Sequence, residues 1–218
     1  MREYQKIETL YKFNNVTKRF TREFYNPIVE YLKDCAWIVS EKIDGTNIRV
    51  HWDGHRVEWS GRTDASQLPK EVEALLQETF GESEIIFEQN FGEKEVFLFM
   101  ECYGGKIQGG LYGGKERLIG FDVMIGTTYL DKMIIKDIFD KFGVETVRFS
   151  KVDNLQEAID FVRLNKAPSE HCDTRMNEIE GLVCVPAMRL YDHQGKRIIV
   201  KIKKKDLEKL EDIDWNLN

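Results

Sequence analysis

The sequence predicts an α+β fold, with antiparallel sheets flanked by helices. Three observations carry that prediction. Short apolar runs of strand length recur along the chain, and Asp-Gly pairs at Asp44-Gly45 and Asp53-Gly54 mark turns between them. Segments with helical spacing are mixed among these runs, together with several hairpin signals, which suits antiparallel sheets better than a doubly wound parallel one. No internal repeat, low-complexity tract or linker divides the 218 residues, so residues 1–218 read as a single domain.

Taken in order, the first forty residues read as a short strand or loop, then a helix from about Arg22 to Lys33 with Pro27 near its first turn, then the strand AWIVS. Asp44-Gly45 predicts a hairpin from that strand into IRVHW, and Asp53-Gly54 a second hairpin into HRVEWS. Pro69 to Phe80 is helical: proline suits a first turn, Val72, Leu75, Leu76 and Phe80 recur at helix spacing, and Gly81 ends it. A second helix covers Ser83 to Phe91, followed by the strand EVFLFMECY. GGKIQGGLYGGK, with six glycines, must be a loop. RLIGFDVMI is a strand, Asp131 to Phe142 a helix, and VRFSKV a short strand. Asn154 caps an amphipathic helix running through Leu164. Residues 166–178 read as an exposed loop, EGLVCVP and RIIVKIK as two paired late strands, and KDLEKLEDI as a closing helix.

Composition narrows the function. Hydrophobic residues make up 42% and charged residues 32%, the profile of a soluble globular protein. No apolar run approaches bilayer length, and the start MREYQKIETLYKF lacks the apolar stretch and cleavage site of a signal peptide, so a cytoplasmic location without membrane contact is expected. A net charge of −6 argues against indiscriminate coating of nucleic acid, which rests on neutralising phosphates. It leaves room for a local basic site, and positive charge does gather at Lys196, Arg197, Lys201, Lys203, Lys204 and Lys205. Cys35, Cys102, Cys172 and Cys184 show no C-x-x-C spacing and read as buried free thiols; His171-Cys172 with Cys184 matches no zinc pattern.

The stretch SEKIDGTNIRV places Lys42 between two carboxylates at a strand end. A surface hairpin explains it plainly, and K-x-D-G arises by chance in about one chain in twenty of this length. The sharper reading makes Lys42 a covalent nucleophile. Five further sites repeat the pattern of polar groups at strand ends or within apolar strands. Arg62 follows a glycine in SGRTD, Glu101 ends an apolar strand before paired glycines, and Phe121-Asp122 interrupts an aliphatic strand. Glu180-Gly181 opens another, and Lys201 and Lys203 share one face of VKIK because side chains alternate with period two. Singly, each has an ordinary structural explanation: a surface arginine, a strand-end glutamate, a core phenylalanine, or lysines guarding an edge strand.

In this order, however, K-x-D-G, S-x-R, E-x-Y-G, F-D-V, E-G-L-V and V-K-x-K resemble the motifs of the covalent nucleotidyltransferases, over about Glu41 to Lys203. Within that superfamily EKIDGTN is most similar to the RNA ligase 2-like ATP-dependent RNA ligases, since DNA ligases and capping enzymes typically carry arginine where this chain has Asn47. The resemblance implies a nucleotidyltransferase domain, the ATP-grasp-like ligase adenylation fold, using ATP and Mg2+ or Mn2+. It implies that Lys42 attacks the α-phosphorus of ATP, that AMP passes to an RNA 5′-phosphate, and that a 3′-hydroxyl then seals the end or nick, as in RNA repair.

A lysine nucleophile must be neutral, so its pKa has to fall from about 10.4; nearby cations and desolvation both lower it. Lys201 and Lys203 can supply that field and also neutralise phosphate oxygens. By resemblance Glu101 binds the ribose hydroxyls, Phe121 stacks on adenine, Arg62 clamps a phosphate, and Glu180 holds the metal or its water shell. Glu41 and Asn47 lie around the base and sugar, while Asp44 and Gly45 shape the turn and Asp44 can pair with the lysine. Only fifteen residues follow Lys203, fewer than the oligonucleotide-binding or helical C-terminal domain of relatives, so a separate RNA-binding partner is an open expectation for strand joining. A GTP-dependent capping-type guanylyltransferase and a non-catalytic RNA-binding module of the same fold are the alternatives. NAD as donor would need a longer N-terminal module.

Overall fold

A computed structural model describes residues 1–164, 168–173 and 178–210. The chain forms two compact units: one holds Met1–Tyr4, Asp44–Val147 and the described residues from Glu170 to 173; the other holds Gln5–Ile43, Arg148–Ser169 and the described residues from Glu178 onward.

The second of these units begins with β1 (Glu8–Thr9), a hairpin of β2 (Tyr11–Asn14) and β3 (Arg19–Phe24), α1 (Pro27–Tyr31) and β4 (Trp37–Glu41). The chain then builds the other unit from β5 (Thr46–Trp52), β6 (Val57–Ser60), α2 (Lys70–Phe80), α3 (Glu84–Phe91), β7 (Val96–Tyr103), β8 (Arg117–Ile125), β9 (Thr128–Tyr129), α4 (Ile135–Phe139) and β10 (Glu145–Thr146). It returns for β11 (Phe149–Val152), α5 (Leu155–Leu164), β12 (Gly181–Pro186), β13 (Val200–Lys203) and α6 (Lys204–Leu207). The α+β class with antiparallel sheets and flanking helices is as the sequence predicts. Among the strands named here, the exceptions to antiparallel pairing are two short ones, β1 beside β13 and β10 beside β8.

In the unit containing β4, the sheet order is β1-β13-β12-β4-β11. Register decides its two faces, because directly opposed residues project to the same side. Trp37, Val39, Leu182, Cys184, Val200 and Ile202 face a core completed by Leu155, Ala158, Ile159 and Val162 of α5. That helix starts where predicted: the Asn154 carboxamide oxygen caps it by accepting the Glu157 N–H at 3.0 Å, and the Glu157 carboxylate accepts the N–H of Asp153, the residue before the cap, at 3.1 Å.

In the other unit the order is β10-β8-β7-β5-β6. Ile48, Val50 and Trp52 pair with Met100, Leu98 and Val96, and all six are buried. The Trp52 ring lies nearly parallel to Phe87 of α3 at 5.6 Å, which places that helix over this face. The opposite face carries Asn47, Arg49 and His51 against Glu101, Phe99 and Phe97. A bulge between β7 and β8 pairs Phe99 with Asp122 and Met100 with Gly120, so Phe121 is the extra residue. Asp122 is fully buried and held by Lys132 Nζ at 2.9 Å and the Tyr4 hydroxyl at 2.7 Å, while Lys132 also donates to the Phe121 carbonyl at 2.6 Å.

Several sequence expectations are corrected. Asp44-Gly45 makes no hairpin: β4 pairs with β11 and β12, and β5 with β6 and β7. Gly45 is not at positive φ, as the favoured two-residue hairpin turn requires; it is glycine because a Cβ would strike the Cys102 carbonyl oxygen. At Asp53-Gly54 the hairpin does form, with Gly54 at φ 100°. The first forty residues contain the β2–β3 hairpin, and the helix begins at Pro27, not Arg22, since the Asn26 side chain caps it by accepting the Ile28 N–H. The helix expected from Asp131 is confined to Ile135–Phe139 with a 3-10 turn at Asp140–Phe142, and the Asp131 carboxylate instead accepts the Met133 N–H. The closing helix ends at Leu207, and the expected remainder beyond residue 210 lies outside the described residues. Part of the loop 166–178 lies there too, but Ser169 and Cys172 are buried rather than exposed. Cys35 is exposed, whereas the other three cysteines are buried.

A buried carboxylate stripped of its cation is costly. Lys132→Met should therefore lower stability by about 3–5 kcal/mol in urea unfolding, with the loss reduced when Asp122→Asn is added.

Candidate active site

Three adjacent strands deliver the ionic cluster of the β4 unit. Lys42 follows β4, and its N–H donates to the Gly181 carbonyl at 2.9 Å. Glu180 immediately precedes β12, and Lys203 ends β13 opposite Gly181. Gly181 is required by packing: a Cβ there would strike the Ile202 carbonyl oxygen and come within 2.8 Å of Lys203 Cα. The Glu180 carboxylate bridges the two ammonium groups, Oε2 to Lys42 Nζ at 2.6 Å and Oε1 to Lys203 Nζ at 2.6 Å. Lys201 and Lys203 stand opposite Val183 and Gly181, on the side of the sheet away from the apolar core, because residues two apart share a face.

Burial acts against the charge on Glu180, but the hydrogen bonds and positive fields of Lys203 and Lys42 outweigh it and hold the carboxyl below its ordinary 4.5. Burial likewise opposes charge on Lys203, and its bond to Glu180 wins, raising the ammonium. Lys201 has no such partner among the described residues: burial first, then repulsion from Lys203 and Lys42, lowers it. Lys42, Lys201 and Lys203 thus share one electrostatic environment, bridged by Glu180 and bordered by Asp206. The partner of Lys42 is Glu180, where the sequence suggested Asp44. Glu41 pairs with Leu182, on the core-facing side of the alternation and so away from the direction of Lys42.

The β5 unit collects a separate set. Asn47 and Glu101 lie directly opposite each other on β5 and β7. Asn47 Oδ1 is buried without a hydrogen-bond partner among the described residues, a costly state that an incoming donor would relieve. Phe121, extruded by the bulge, meets the Tyr4 ring edge-on at 5.1 Å, and Tyr4 also touches Phe99 at 4.8 Å. Arg62 is exposed in the turn after β6 and makes no ion pair or hydrogen bond among the described residues. The Asp44 N–H donates to the Tyr112 hydroxyl at 2.9 Å, and the Gly45 carbonyl accepts from Gln108 at 3.0 Å.

Arg49 is a residue whose importance the motif reading missed. Its fully buried guanidinium donates to the Gly61 carbonyl at 2.7 Å, Ser60 Oγ at 3.2 Å, Asp64 Oδ1 at 2.8 Å and the Met1 and Arg2 carbonyls at 3.2 and 3.0 Å. It therefore grips both sides of Arg62. The available signal was a charge between Ile48 and Val50 in an apolar strand. Tyr112 carried a weaker one, a large side chain flanked by paired glycines.

Among the described residues no group of three His, Cys, Asp or Glu side chains could hold a metal. The Glu180 carboxylate is the oxygen donor that this cluster could offer a divalent cation.

The family model described as RNA ligase matches residues 36–203. No curated protein sequence matches the chain. Among solved structures, Naegleria gruberi RNA ligase with PPi is similar at a TM-score of 0.61 and 19% identity, over 94% of this chain and 61% of that one. A point mutant of the same Naegleria gruberi enzyme, solved with ATP and Mn, gives 0.61 and 18% over 94% and 61%, and an apo mutant gives 0.60 and 19% over 93% and 60%. These likenesses show the RNA ligase nucleotidyltransferase fold. The chain spans about three fifths of the length of the structures it matches.

Linkage gives the cluster a pH signature. With the Glu180 carboxyl lowered, the unfolded chain binds more protons near that range, so the stabilisation is complete above the ordinary 4.5 and is lost as pH falls through the folded value. Glu180→Gln should cost about 1–3 kcal/mol at neutral pH. The gap from the parent, read by urea unfolding across a pH series, should close on acidification.

Proposed function

The chain belongs to the RNA ligase family, and we propose from that premise that it is an ATP-dependent RNA ligase acting through a lysyl-AMP intermediate on Lys42. The observation that carries the reading is the Lys42–Glu180–Lys203 bridge with Lys201 beside it, on the sheet face turned away from the core. A nucleophilic amine needs cations near it and a position held to within a fraction of an ångström.

In the proposed reaction the neutral Lys42 amine attacks the α-phosphorus of ATP, the N–P bond forms, the bond to the β-phosphate oxygen breaks, and pyrophosphate leaves. AMP then passes to the 5′-phosphate of an RNA end, and a 3′-hydroxyl displaces it to join the strands. Lys203 and Lys201 neutralise the phosphate oxygens as charge develops. A divalent ion, when bound, adds Lewis-acid stabilisation at the phosphate, with Glu180 as its protein carboxylate. Phosphate oxygens and such an ion offer the two lysines and Glu180 new partners of opposite charge, so the resting bridge would be exchanged rather than simply broken.

Glu101 is assigned to the ribose hydroxyls and Phe121 to the adenine ring, for which an aromatic face is suited. Asn47 and Glu41 are assigned to the base and sugar side. The unpartnered Asn47 Oδ1 supports its assignment; Glu41 rests on the motif alone. Arg62, exposed and without a protein partner among the described residues, is assigned to a phosphate through its fork of donors. The related Naegleria gruberi structures with ATP and Mn, and with AMP and Mn, support nucleotide and metal as ligands.

The test is intact mass after incubation with ATP and Mg2+. The parent should gain one AMP and Lys42→Ala none. Lys201→Ala and Lys203→Ala should slow adduct formation by about 10²–10³-fold, the usual effect of removing one stabilising charge from a transferring group. An adduct with GTP alone would move the reading to capping-type chemistry. Folded protein free of bound AMP that forms no adduct with any nucleotide would leave a non-catalytic RNA-binding module.

A further inference from the structure

We propose that Tyr112 and Gln108, in the glycine-rich loop at residues 104–115, are positioning residues for the Lys42 nucleophile, a reading that rests on the adenylation chemistry above. The two side chains grip successive residues of the backbone just after the lysine. The Tyr112 hydroxyl accepts the Asp44 N–H at 2.9 Å, and Gln108 Nε2 donates to the Gly45 carbonyl at 3.0 Å. β7 forms a third wall, since a Cβ on Gly45 would strike the Cys102 carbonyl oxygen and lie 2.8 Å from Glu101 Cγ. One amide, one carbonyl and one α-carbon of this dipeptide are therefore each held by a separate part of the same unit.

The loop is shaped to present those two side chains. All six of its glycines adopt positive φ, and Gln108 does so too at 50°, a conformation that a residue with a side chain keeps only when its surroundings impose it. Tyr112 is 2% exposed, with its ring edge-on to Tyr103 at 5.3 Å. Its own carbonyl accepts the Asp173 N–H at 3.1 Å, and the neighbouring Leu111 carbonyl accepts the Cys172 thiol at 3.6 Å. The phenol is thus anchored at ring and backbone, leaving its oxygen fixed against the Asp44 amide. Lys42 stands two residues before that amide in the chain. A misplacement of about 1 Å at a reacting group can cost about 10²-fold in rate, so freedom at Asp44 should reach the nucleophile.

Tyr112→Phe keeps the ring and removes the acceptor; Gln108→Ala removes an exposed donor and keeps the test alive should the first variant fold poorly. In Tyr112→Phe, amide hydrogen exchange at Asp44 should accelerate, and the single-turnover adenylation rate at saturating ATP should fall about tenfold, with ATP Kd within about twofold of the parent and an unchanged melting temperature. Gln108→Ala should show the same split with a fall of about threefold. An unchanged adenylation rate in Tyr112→Phe, in a preparation whose parent forms the adduct, would overturn the proposal. So would a rate that falls together with ATP affinity and melting temperature, since that is the mark of general damage. A parent that forms no adduct would overturn the role of Lys42 itself, a result distinct from either.

Discussion

One carboxylate placed between two ammonium groups ties together three strands of the β4 unit. Glu180 meets Lys42 and Lys203 with one oxygen each, at equal distances, from strands β4, β12 and β13 lying side by side. Without that anion, three lysines gathered on one face would repel one another more strongly; Lys201 is already lowered, first by burial and then by repulsion from Lys203 and Lys42. With it, part of that repulsion is offset while the cluster keeps the excess positive charge that a polyanionic substrate would need. The arrangement also depends on Gly181, because only the absence of a side chain lets the two strands approach at that point.

Both sheets solve the same problem in the same way. A strand that is half core and half site must keep its apolar and polar residues apart, and the period-two alternation does this without any further device. In the β4 unit Trp37, Val39, Leu182 and Ile202 turn to α5 while Lys201 and Lys203 turn away. In the β5 unit Ile48, Val50 and Leu98 fill the core while Asn47, Arg49 and Glu101 project from the other side. The bulge at Phe121 is the exception that alternation cannot supply. It brings an aromatic to the Tyr4 and Phe99 side, and the Asp122–Lys132 pair with the Tyr4 hydroxyl holds it there.

Much of this was legible beforehand. The helices at 70–80 and 155–164 announced themselves by apolar spacing and by the Asn154 cap, because helical structure is decided among residues a few positions apart. The ordered motifs named Lys42, Glu180, Lys201 and Lys203 as a set before their proximity was known. What misled was turn chemistry read in isolation: Asp-Gly signals a hairpin at both 44–45 and 53–54, yet only the second forms one. At Gly45 the residue answers a steric demand from β7, more than fifty positions away, and no local pattern carries that information.

The sequence by itself therefore determined where most strands and the longer helices lie and which of their faces are apolar. Those follow from periodicity and from the intrinsic chemistry of each residue, which act over short distances along the chain. The tertiary structure alone decided that Lys42 pairs with Glu180 rather than Asp44, that Arg49 grips the segment around Arg62, and that Tyr112 holds the Asp44 amide. Each of these joins residues distant in sequence, 138 positions apart in the case of Lys42 and Glu180. Such pairs are set by strand order and register, and those are chosen by the energy of the whole packed core rather than by any one segment.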